Sequence, residues 1–148
     1  MVHGAKRLDA VEQRGRIFRI ERRVADQRGI EVGIGHLDQT LEFSQFVIAG
    51  AAIGVVAEPF KDWQKAFWDN LATTVQLHNI KKVIAIDHRD CGAAKIAYGE
   101  AKVATREAEN ETHRAALAEF RTQVGARQPA LGVETGLMAT DGTIEMMG

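Results

Sequence analysis

One short stretch of the chain gathers the side chains best suited to bond-making chemistry. It runs Asp87-His88-Arg89-Asp90-Cys91-Gly92, and Cys91 is the only cysteine among 148 residues. An imidazole and a thiol separated by two residues can be folded by a turn onto one point. Imidazole nitrogen and thiolate sulfur are the donor types that Zn²⁺ prefers. A helix starting behind the cysteine would lower the thiol pKa and favour the thiolate a metal needs. Gly92 is expected to let the backbone turn tightly behind the sulfur. Asp90 is expected to orient His88 as an outer partner, the common support of a metal-bound imidazole. The rival use of Cys91 is as a catalytic nucleophile. The phosphatase arrangement, with His directly before Cys and an Arg closing the loop, is absent.

Such a pair needs a rigid frame, and the surrounding pattern supplies one. Val83-Ile84-Ala85-Ile86 is a short β-branched run, expected to be a strand buried on both sides, and the His-Cys stretch leaves its carboxyl end. Ligands in open α/β sheets gather at that end of the strands. Before it, Phe60, Trp63, Phe67, Leu71, Val75 and His78 recur at three- and four-residue steps, which predicts a helix from about Pro59 to His78. Pro59 suits a first turn and Asn79 an end. Earlier still, Phe46-Val47-Ile48-Ala49 reads as a buried strand. The small residues Gly50 to Gly54 that follow read as a loop where backbones approach closely.

Beyond Gly92 a short helix is expected from Ala93, then a longer, charged one from about Thr105 to Val124. Leu117, Phe120 and Val124 give its second half a narrow apolar face, whereas His113 reads as solvated. A strand from Leu131 to Met138, an Asp141-Gly142 turn and a return through Ile144 and Met146 close the chain. Continuous apolar strands separated by a helix argue for a parallel sheet. The fold class is therefore α/β: a central, mostly parallel sheet flanked by helices, with a C-terminal antiparallel strand or hairpin.

Composition narrows the function classes. Apolar residues make up 45% and charged residues 26%, ordinary for one globular domain spanning residues 1–148. A net charge of -1 gives no global case for nucleic acid or an anionic membrane. Between Lys6 and Arg28 eight Lys or Arg are interleaved with Asp9, Glu12, Glu21 and Asp26. Only Phe18 accompanies them as an aromatic, so residues 1–40 read as an atypical, solvated, Arg-rich segment rather than a nucleic-acid platform. The lone cysteine excludes an intrachain disulfide, and no apolar run approaches the ~20 residues that span a bilayer. A cytoplasmic protein is expected.

The run from Val83 to Lys95, Val-Ile-Ala-Ile-Asp-His-Arg-Asp-Cys-Gly-Ala-Ala-Lys, resembles the second zinc-ligand segment of the β-carbonic anhydrases. The helix before it, the small-residue run from Phe46 to Gly54 and the closing Leu131-Gly132-Val133-Glu134-Thr135-Gly136-Leu137 also resemble that family. The likeness reaches from Phe46 to the C-terminus. It implies a Zn²⁺ site with His88 and Cys91 as ligands, reversible hydration of CO₂ to bicarbonate or chemistry on a related small heterocumulene, and a homodimer or higher homo-oligomer. The family's first ligand segment is Cys-x-Asp-x-Arg, whose Asp and Arg control access to the metal. Asp26-Gln27-Arg28 matches its second half, while Val24 stands at the cysteine position.

By this resemblance Asp26 and Arg28 are candidate catalytic residues, and Asp26 or His36 is the candidate third ligand. Water on a three-ligand zinc reaches hydroxide near neutral pH and attacks CO₂, as in zinc enzymes generally, carbonic anhydrases of the three-histidine type among them. Val24 also motivates an alternative, a catalytically silent homologue serving as a binding or assembly module.

Overall fold

The computed structural model of the chain describes residues 44–148. Val24, Asp26, Arg28 and His36, and with them the expected first ligand segment, lie outside the described residues. What is described is a mixed α/β arrangement. Helix α1 spans Ala52–Val56, α2 Lys61–His78, α3 Gly92–Tyr98 and α4 Arg106–Arg127. Strands β1 (Lys82–His88), β2 (Gly132–Met138) and β3 (Ile144–Met146) form one sheet in the order β1-β2-β3. The pair β1–β2 is parallel, with Lys82 opposite Gly132 and His88 opposite Met138; β3 returns antiparallel to β2. No helix among the described residues is long and apolar enough to cross a membrane.

The expected strand at Phe46–Ala49 is corrected. Residues 44–48 carry no regular structure, and Val47 is 66% exposed. A strand needs a neighbour to satisfy its backbone groups, and none of the described strands pairs with this run. Phe46 instead sets its ring edge-on against Phe67, centroids 5.5 Å apart. The following small residues form α1 rather than a loop, yet the close approaches expected there are present. A β-carbon at Gly50, where φ is +78°, would sit 2.8 Å from Cβ of Ala93. One at Gly54 would lie 2.3 Å from the Ala49 carbonyl oxygen. Only glycine fits either position.

Helix α2 begins after a single 3-10 turn, Glu58–Phe60, that carries Pro59. It stops where Asn79 adopts the left-handed conformation and its N–H reaches the Val75 carbonyl at 2.9 Å. Phe67 and Leu71 are its buried contacts with the core. Helix α4 starts on Thr105, whose hydroxyl accepts the Ala108 N–H at 3.2 Å. Its inward residues are Glu109, Thr112, His113, Ala116, Leu117, Phe120 and Val124, spaced by three and four along one stripe. The expected apolar second half is there. The first half of the same stripe is polar and equally buried, so a solvated His113 is corrected: it is 0% exposed.

The main core joins Ala85 of β1 and Leu137 of β2 to residues of α1, α2 and α4. Because strand residues alternate faces, Val83, Ala85 and Asp87 look toward these helices while Ile84 looks away. Ile84 remains 39% exposed, so β1 is not covered on both faces by the described residues. The hairpin turn after β2 forms as expected, with Gly142 at φ +88° and the Thr143 N–H donated to the Asp141 carboxylate. A second, smaller cluster places Cys91 against Ile53, Ala57, Phe60, Ala94 and Ala116. The thiol thus sits where α1, α3 and α4 converge on the end of β1.

Candidate functional site at the end of the first strand

The strand delivers three side chains in succession to different surroundings. Asp87, on the helix-facing side, is 0% exposed. One carboxylate oxygen accepts the Ala52 N–H at 2.9 Å, and the other pairs with Nδ1 of His113 at 2.8 Å. Asp87 thereby fastens β1 to the first turn of α1 and to the middle of α4. Burial pushes its carboxyl above the usual 3.8, opposed by the His113 hydrogen bond and charge and by the Ala52 amide. Nε2 of His113 is also buried and has no hydrogen-bond partner among the described residues.

His88, on the opposite face, is accessible. Its Nδ1 lies 2.8 Å from the Arg89 carbonyl oxygen. A carbonyl only accepts, so Nδ1 carries the proton of the neutral ring and Nε2 keeps the lone pair. The ring's orienting partner is therefore the Arg89 carbonyl; Asp90 contributes its backbone N–H to a different contact. The hydrogen bond to Cys91 is the largest influence on His88, raising its pKa to about 9 against the burial that lowers it.

Cys91 is 5% exposed and immediately precedes the first residue of α3. Burial raises the thiol pKa. The hydrogen bond with His88, the Ala94 and Ala93 amides and the His88 charge together outweigh burial, so the value falls below the ordinary 9.0. Each group thus favours the charged form of the other, imidazolium beside thiolate. Thiolate absorbance of this single cysteine is thus expected to titrate below 9.0 and to move upward in His88→Ala. An unchanged titration in that variant would show that the two groups do not interact.

Of the two residues between them, Arg89 turns its side chain toward the interior while Asp90 stays exposed. Arg89 is 9% exposed; its Nη1 donates to Glu109 Oε2 at 3.0 Å and its Nη2 to Asn110 Oδ1 at 2.5 Å. Its backbone N–H continues the sheet ladder to the Met138 carbonyl at 2.9 Å. Asp90 has φ +54° and donates its N–H to Glu109 Oε1 at 2.7 Å. The sharp bend therefore falls on Asp90 and not on Gly92. A β-carbon at Gly92 would meet nothing within 4 Å, which corrects the expected need for glycine there.

His88 and Cys91 are brought together as the spacing implies, and the pair offers one nitrogen and one sulfur donor. Among the described residues no three His, Cys, Asp or Glu cluster as a metal site; Asp26, Arg28 and His36 lie outside them. Sequence reasoning missed Glu109 and His113. Both lie on the inward stripe of α4, and their three- and four-residue spacing from Ala116, Leu117 and Phe120 is the signal that could have found them.

No family model matches the chain, and no solved structure matches it. It is similar to an uncharacterized protein of Rickettsia bellii (strain RML369-C), 37% identical over 106 residues, covering 72% of this chain and 65% of that protein. It is also similar to an uncharacterized protein of Rickettsia conorii (strain ATCC VR-613 / Malish 7), 34% identical over 105 residues, covering 71% of this chain and 56% of that protein. The chain thus spans 65% and 56% of the lengths of the curated relatives it matches.

Proposed function

We propose that the chain is a β-carbonic anhydrase-like enzyme that hydrates CO₂, or a related small heterocumulene, with the help of Zn²⁺. The observation that carries this reading is the orientation of His88. Its Nδ1–H is spent on the Arg89 carbonyl, which turns Nε2 toward a thiol whose pKa is lowered, so a metal that displaces the proton between them would meet both donors. Metal-ligating histidines are held in just this way, one ring nitrogen on a backbone carbonyl or carboxylate and the other on the ion. The donor chemistry, one imidazole and one thiolate, fits zinc.

Cys91 and His88 would hold the metal, with Asp26 or His36 as the third ligand. When bound, the ion supplies Lewis acidity that brings the pKa of a coordinated water to near 7. The chain's own residues do the rest. Cys91 gives up its proton on metal binding, and its lowered pKa reduces that cost. His88, protonated up to about pH 9 in the metal-free pair, must also release a proton, so metal affinity is expected to rise with pH through that range. Ile53, Phe60 and Ala94 around the sulfur keep water from it. Arg28 would position the anionic product, and the assembly is a homodimer or higher homo-oligomer.

Metal analysis of the purified protein together with a CO₂-hydration assay tests the proposal. About one equivalent of zinc per chain and hydration above the buffer rate are expected. Less than about a tenth of an equivalent with no catalysis would remove it. Gain of both zinc and activity only in Val24→Cys would favour the silent homologue instead.

A further inference from the structure

We propose that Glu109 is the positioning residue of the His88–Cys91 pair. It rests on the reading of these two side chains as metal ligands, and its first test needs no metal. The turn that sets their separation contains only Arg89 and Asp90, and Glu109 spends one carboxylate oxygen on each. Oε2 takes the Arg89 guanidinium at 3.0 Å and Oε1 takes the Asp90 N–H at 2.7 Å. Both Arg89 and Glu109 side chains are 9% exposed, so the ion pair is shielded from water, while the Asp90 contact is part-buried. The Asp90 backbone sits at φ +54°, a conformation most residues with a side chain avoid and Asp tolerates better than most. Glu109 holds the bent backbone from α4, a 22-residue helix anchored by its Thr105 cap and its buried stripe.

The same turn carries the Arg89 carbonyl that accepts the His88 Nδ1–H. Glu109 therefore acts at one remove on the ring orientation and on the distance between imidazole and sulfur. A glutamine has one acceptor and one donor where two donors must be met, so Glu109→Gln opposes a donor to either Arg89 or Asp90. The turn is then free to leave α4 while the helix, the sheet and the core persist. Ligand sets are sensitive to such losses, because productive geometry tolerates displacements of only about 0.5 Å.

The first measurement is the alkylation rate of Cys91 in metal-free protein, at a temperature where circular dichroism shows the variant fully folded. Wild type, with the cysteine 5% exposed, is expected to react slowly. Glu109→Gln is expected to react at least about tenfold faster, at a rate unaffected by low urea, the mark of local rather than global opening. Glu111→Gln, an exposed site on the same helix, is expected to match wild type. In the second measurement Co²⁺ serves as the probe. Glu109→Gln is expected to bind it about 10–100-fold more weakly, with an altered thiolate-to-cobalt absorption band.

Wild-type alkylation and an unchanged cobalt spectrum in Glu109→Gln would overturn the proposal. If wild type takes up no cobalt while Glu109→Gln still accelerates alkylation, the metal reading fails and the clamp stands. Glu109→Asp, which keeps the charge but is too short for both contacts, replaces the glutamine variant if that one does not fold. Unfolding of both would make Glu109 a residue of the fold and overturn its positioning role.

Discussion

Alanine at position 113 is expected to destabilise the protein by about 3–5 kcal/mol at neutral pH, because it strips a fully buried carboxylate of its main partner. Asp87 and His113 are both 0% exposed and 2.8 Å apart. Without the imidazole, Asp87 keeps only the Ala52 N–H among the described residues. The loss also depends on pH, with a definite sign. Burial already raises the Asp87 pKa above 3.8, and the His113 contacts oppose that rise. A carboxyl raised in the folded state is most stabilising while protonated, and that contribution is lost as pH rises through its folded value.

Removing His113 raises the folded value further, so the penalty is small near the ordinary 3.8 and grows toward neutrality. Urea unfolding of wild type and His113→Ala at acidic and neutral pH measures the difference directly. Asp87→Asn separates charge from shape. Its amide can still accept from Ala52 and can donate to Nδ1, so a smaller cost of about 1–3 kcal/mol is expected at neutral pH. Equal penalties at both pH values for His113→Ala would mean that Asp87 is not held as a buried, ionisable group.

What the sequence made legible and what it hid follow one physical division. Periodic apolar residues announce their own burial, so β1, α2, the second half of α4 and the Asp141-Gly142 turn are readable from residue order alone. The approach of His88 to Cys91 is legible for a related reason, since two residues after a strand end leave the chain few ways to turn. Glu109 and His113 are hidden because a polar residue declares neither its burial nor its partner. Each is buried only because a residue distant in sequence, Arg89 or Asp87, meets it across the fold. Phe46-Val47-Ile48 misleads for the converse reason. Its strand propensity is local, whereas a strand exists only when a neighbour accepts its hydrogen bonds.

Phe120→Ala tests the apolar half of the same helix, and its expected cost is again about 3–5 kcal/mol. The ring is 2% exposed and lies 5.7 Å from Phe67 and 6.4 Å from Trp68, centroid to centroid. It joins α2 and α4 within the cluster that also holds Ala85 and Leu137 of the sheet. Truncation removes the ring's transfer free energy and leaves a cavity between two helices and a sheet, which cannot all close on it. Against a typical domain stability of about 5–15 kcal/mol, the loss is a large share of the total. Trp63→Ala is the contrasting variant. Trp63 is as large and stacks on Phe60 at 4.8 Å, but it is 43% exposed and opens no cavity when removed. Its cost is expected to stay near 1 kcal/mol, mostly the lost ring contact, on the order of what such aromatic pairs contribute. Equal shifts in urea midpoint for the two variants, at unchanged m-value, would place the core elsewhere than between α2, α4 and the sheet. A shift for Phe120→Ala at least about twice that for Trp63→Ala would fix it there.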